Sequence, residues 1–199
     1  MPPPTPGGSP AQGSLAEGLR GAALLARGDA TGLALVDGTP EGAARSFRVA
    51  LVCLPAFVIL RLLAWATATP PTGGYALGLA AEVVGFVIAW AGFALASLPA
   101  TEAVGRRARW PLFIAAWNYT NLVQYGLLVL VGGVPLLLGL PTGLAQVLGL
   151  IAFGYVIWLE WFVARIALNL PGLQAAGIVL IDVMISVFVA GLVTRLSAG

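Results

Sequence analysis

Histidine and lysine are absent from this chain, cysteine occurs once, and charged residues fill only 9% of its 199 positions. Each shortage closes a class of function. Without histidine there is no imidazole for a zinc or haem ligand set, nor for a Ser-His pair. Without lysine a glycine-rich phosphate loop of the P-loop type cannot be completed. Cys53 alone can build neither an internal disulfide nor a Cys/His zinc site, and its place in an apolar run reads as a buried, inert thiol. The positive charge is all arginine and is scattered over loops rather than gathered in a patch, so nucleic acid is not an expected partner. No catalytic, cofactor-binding or metal-ligating constellation emerges, and the chain reads as a non-enzyme.

A soluble domain carries roughly 25% charged residues, so a chain at 9% has too little charge to coat a globule. It is instead 59% hydrophobic, with a mean hydropathy of +0.96. Several apolar runs reach the ~20 residues that cross a hydrocarbon core of about 30 Å as a helix. The fold class that follows is all-α: an integral membrane bundle of about five transmembrane helices.

Residues 1–13 are rich in Pro, Gly and Ser and are expected to be a disordered tail. Residues 14–46 form a cytosolic segment with a short amphipathic helix over Ser14 to Arg27. Its Leu15, Leu19, Ala22 and Ala26 share one face, with Glu17, Arg20 and Arg27 opposite. That helix could lie on the membrane surface or dock on the protein itself. Arg27-Gly28-Asp29 is a turn, and Thr39, Pro40 and Glu41 are the cap, first position and early acid of a helix leading through Arg45 into the membrane. Residues 47–196 are the transmembrane domain. Its spans are expected at about Phe47 to Thr67, Tyr75 to Leu98, Trp110 to Val134, Leu140 to Arg165 and Pro171 to Thr194. Gly132, Gly133 and Pro135 would break the third.

Arginine placement orients the bundle, because short cytosolic loops keep their positive charge. Arg45 and Arg48 precede the first span, Arg106, Arg107 and Arg109 follow the second, and Arg165 ends the fourth, while the two other loops are uncharged. The N-terminus is then cytosolic and the C-terminus outside, with Arg195 alone on the wrong side. No basic, then apolar, leader occupies the first thirty residues, and Arg-only, Ala/Gly/Pro-rich usage points to a bacterial cytoplasmic (inner) membrane.

An ionisable side chain at the centre of an inserted helix costs roughly 2.5 to 3.5 kcal/mol on insertion scales, so each should face the bundle and have a partner. Arg61, six residues before the end of the first span, and Glu82, seven into the second, sit about 10 Å below the outer surface and are candidates for an ion pair. Asn118, Asn121 and Tyr125 share a face of the third span, with Gln124 beside them. Glu160 and Arg165 lie towards the cytosolic end of the fourth, where the glutamate would meet water or a loop arginine. Asp182 falls near the bilayer midplane with no base at its depth. It is either protonated and bonded to Asn121 or Gln124, or a proton or cation site. Ala81, Gly85 and Ala89, and then Gly92 and Ala96, are small residues spaced for close helix crossing.

The chain resembles the Yip1-like family of small five-span membrane proteins, in particular its bacterial members. The resemblance rests on Arg45-Ser46-Phe47 leading into the first span, the five-span outline, Trp117-Asn118-Tyr119-Thr120-Asn121, and Glu160-Trp161-Phe162-Val163-Ala164-Arg165. Eukaryotic members of that family bind small GTPases and act in vesicle traffic, and no binding residue carries over from them. The resemblance implies a non-enzymatic scaffold, recruiter or accessory subunit. Its partners would be the lipid bilayer and either a membrane protein or further copies of the chain. The alternative is a small transporter or ion or proton pathway built on Asp182 and the third-span stripe.

Overall fold

The computed structural model describes residues 14–67 and 70–197; the expected disordered tail lies outside them. Among the described residues there are seven α-helices and no strand. Two short ones, α1 (Leu15–Leu25) and α2 (Pro40–Ser46), precede five long ones: α3 (Arg48–Thr67), α4 (Tyr75–Ala103), α5 (Trp110–Leu137), α6 (Thr142–Leu168) and α7 (Gly172–Ser197). The long five are apolar enough on average and long enough to cross a membrane, which makes this a helical membrane protein. Leu95, Leu150 and Phe188 are exposed on these helices. In lipid a backbone N–H finds its partner only within the helix, so apolar runs of this length have no other stable form.

That requirement also explains where the helix ends differ from expectation. The α4 helix runs on through Pro99 to Ala103, and α5 continues past Gly132, Gly133 and Pro135 to Leu137. A proline removes only one hydrogen bond, that to the carbonyl four residues before it, of Leu95 or Val131 here, and the bonds on either side carry the helix on. The entry is also not continuous: α2 stops at Ser46, and α3 starts afresh at Arg48. Thr39 caps α2 through the Gly42 N–H at 3.0 Å.

The long helices close a ring. The α5 helix packs against α3 and α6, α6 against α7, α7 against α4, and α4 meets α3 along a narrower seam. Gly85 permits the α4–α7 crossing, since a Cβ there would strike Val193. One end of the ring, here the α2 end, holds the α4–α5 and α6–α7 connections. It is stitched by Trp110 Nε1 donating to Ser97 Oγ at 2.9 Å, Arg109 to the Ala167 carbonyl at 3.2 Å and Trp161 Nε1 to the Gly172 carbonyl at 2.9 Å. The far end holds the α3–α4 and α5–α6 connections.

Around the α2 end, residues from Phe113 to Asn121 of α5 are buried on every side. The N-terminal segment supplies the missing wall. A Ser14–Glu17 capping box starts α1, which lies against α5. The buried face is Gly18, Gly21, Ala22 and Leu25, rotated from the expected one, and Leu15 is exposed. The reason is close approach: a side chain at Gly18 would run into the Tyr119 ring, and Gly21 meets Gly32 backbone to backbone. Tyr155 of α6 then donates to the Ala26 carbonyl at 2.5 Å. Of the two placements considered for this helix, the structure has it docked on the protein.

Candidate functional site

All five long helices line one cavity of about 260 Å3. Phe57, Leu60 and Arg61 come from α3, Ala89 and Trp90 from α4, and Val156 and Glu160 from α6. The α5 helix gives Trp117, Asn121, Gln124, Tyr125 and Leu128, and α7 gives Asp182 and Ser186. Five of the polar residues singled out in the sequence therefore converge: Arg61, Asn121, Gln124, Glu160 and Asp182. Glu82 stands just outside and reaches the chamber through Arg61, its Oε1 lying 3.5 Å from Nη1. Arg61 is also stacked over the Phe57 ring at 5.5 Å.

Asn118 does something else. Its Nδ2 donates to Ser46 Oγ at 2.7 Å, and its Oδ1 accepts from Trp90 Nε1 at 2.8 Å. Ser46 Oγ in turn donates to the Ala43 carbonyl at 2.6 Å. One amide thus ties α2, α4 and α5 at a single level, which makes Asn118 a brace rather than a lining residue. Asn121 satisfies its Nδ2 on the Trp117 carbonyl of its own helix at 2.9 Å. Gln124 is 3% exposed, and its Nε2 has no hydrogen-bond partner.

Asp182 and Glu160 line the chamber together with Phe57, Leu60 and Arg61 from the middle of α3, and the crevice beneath it with Trp117, one residue from Asn118. The expected bond from Asp182 to Asn121 or Gln124 is not formed. Its carboxyl is instead approached by the Trp117 indole N–H, without closing a hydrogen bond. Glu160 meets no loop arginine: among the described residues neither it nor Asp182 belongs to a salt bridge. The two carboxyls line the same chamber and the same crevice beneath it.

Access is one-sided. Towards the α2 end the floor is aromatic, with Trp117 5.2 Å from Trp90 and 4.7 Å from Phe93 by ring centroids, and Phe93 6.1 Å from Phe113. The crevice beneath, between Glu160, Asp182 and Ala164, leaves no room for a water molecule. Towards the far end a wider cavity of about 770 Å3 shares Leu60, Arg61 and Leu128 with the chamber and reaches Thr67, Leu140 and Thr142 at the helix ends. A third of about 300 Å3 runs past Glu82 to Val193, and Arg61 lines all three.

Sequence reasoning missed Trp90 and Trp117, which make the floor, and Ser46, which meets Asn118. Aromatic residues within apolar runs carry no signal of their own, and a serine after Arg45 reads as one more turn of the helix entering the membrane. What fold and chamber define together is a class: a five-span helical membrane protein with a polar chamber between its helices. No family model matches the chain, and neither does any curated protein or solved structure.

Proposed function

We propose that this protein binds and passes a small solute through its chamber, as a small transporter of a bacterial inner membrane. The observation that carries the reading is the convergence of Glu160, Asp182, Arg61 and Gln124 on one cavity that opens at the far end and is shut by aromatic rings at the other. An intramembrane ionisable group needs a partner or a function, and the two carboxyls have no cationic partner among the described residues. The arginines at the α2 end put that end in the cytosol, so the N-terminus is cytosolic, the C-terminus outside, and the chamber faces outward. A chamber open at one end and closed at the other supports a reading as one state of an alternating-access cycle, with the Trp117 floor as the inner gate.

Cysteine accessibility tests this. In a background with Cys53→Ala, intact cells carrying Ser186→Cys should react with a membrane-impermeant thiol reagent, whereas Ala164→Cys, beneath the floor, should not. An unreactive Ser186→Cys would sink the chamber reading and return the weight to the scaffold role that the Yip1-like resemblance implies. Equal reaction at both positions would remove the floor as a gate.

A further inference from the structure

Resting on the chamber reading, we infer that the solute is a small organic cation bearing a hydrogen-bond acceptor, its charge held between Glu160 and Asp182 and its acceptor met by the Gln124 amide. The charge argument comes first. Arg61 is matched by Glu82 at 3.5 Å, so this pair contributes no net charge. That leaves Glu160 and Asp182 as the chamber's unmatched groups. Two carboxylates in a low-dielectric site repel, and a cation between them relieves both their repulsion and their desolvation.

The remaining features narrow the class of cation. Trp90, Trp117 and Tyr125 line the same space, and aromatic surroundings favour an organic ammonium over a hydrated metal ion. A divalent ion would want more ligands than two carboxylates, and no group of three acidic, His or Cys residues is gathered among the described residues. The chamber, at about 260 Å3, exceeds the roughly 150 Å3 that houses a benzene molecule in an engineered apolar cavity. A bare proton would need none of this room. Gln124 is the independent witness to a ligand. Its buried Nε2 donor is unsatisfied, an unfavourable state for a group shut away from water, and an oxygen on the bound cation would satisfy it.

Choline, a quaternary ammonium with one hydroxyl, is a suitable probe. The full chain with Cys53→Ala and Ser186→Cys is reconstituted in lipid nanodiscs, and its labelling by an impermeant thiol reagent is timed. Choline should slow labelling, tetramethylammonium should do so more weakly, and the neutral isostere 3,3-dimethylbutan-1-ol should not. Asp182→Asn or Glu160→Gln should raise the protecting concentration about tenfold or more, as loss of a charged partner does. Gln124→Leu should bring choline down to the level of tetramethylammonium while labelling itself persists. Labelling that neither cation slows, or that the neutral alcohol slows equally, overturns the cation while leaving the chamber in place. Absence of labelling overturns both.

Discussion

The two ends of the bundle are built on opposite principles. At the α2 end one asparagine ties three helices, three indole or guanidinium donors stitch the connections, and the residues from Phe113 to Asn121 are buried all round. At the far end the helices part around cavities, and one 3.5 Å ion pair bridges α3 to α4. Tight packing holds bundles together in a solvent that gives no hydrophobic drive between helices. The far half forgoes part of it, and the ionisable groups lie where the tight half meets the loose one.

The sharpest way to break the comparison is to cut the brace. Asn118→Leu should leave the Trp90 N–H buried without its acceptor and detach α2, destabilising the fold by about 2 kcal/mol in detergent unfolding. A shift under the ~0.6 kcal/mol of an average interhelical hydrogen bond would mean that the α2 end is held by packing alone. Next in size is Gly18→Val, which sets a branched side chain against the Tyr119 ring. Overpacking of this kind is destabilising by about 1–3 kcal/mol. Hydrogen exchange should show protection lost over residues 15–46 and kept in the long helices. Retained protection there would show that α1 can shift without leaving. The loose end should respond least: the double change Arg61→Gln with Glu82→Gln removes a pair whose arginine is 39% exposed, and stability should move by less than about 1 kcal/mol. A larger loss would make that pair a brace as well.

The same contrast explains what the sequence could disclose. Five runs of apolar residues, their turns and the Arg61–Glu82 juxtaposition were legible, because helix length, turn chemistry and position along a hairpin are local properties. The Thr39-Pro40-Glu41 start was legible for the same reason. Relative level was not: nothing local says that Ser46, and not Phe57, stands opposite Asn118. The docked face of α1 was hidden in its glycines. A hydrophobic pattern marks where large side chains gather, whereas close helix approach is made by the residues that have none.

The smallest expected effect concerns the outer rim of the tight end, and it is a titration. Asp37 accepts from the Thr39 hydroxyl at 2.7 Å and from its N–H at 3.0 Å, and it pairs with Arg45 on the last turn of α2. The Thr39 hydrogen bonds, with a lesser contribution from Arg45, hold its carboxyl below the ordinary 3.8. A carboxylate lowered in the fold stabilises it above the unfolded value and loses that contribution as pH falls through the folded one. The entry to α2 should therefore be indifferent to pH at neutrality and loosen only in acid. In NMR spectra of the protein in micelles, the Thr39 amide should titrate with a midpoint below 3.8, and Thr39→Val should move the Asp37 midpoint back up. A midpoint at or above 3.8 would mean that the turn before α2 is not closed in solution. The tight end would then begin at Ser46, with the Asn118 brace as its true boundary.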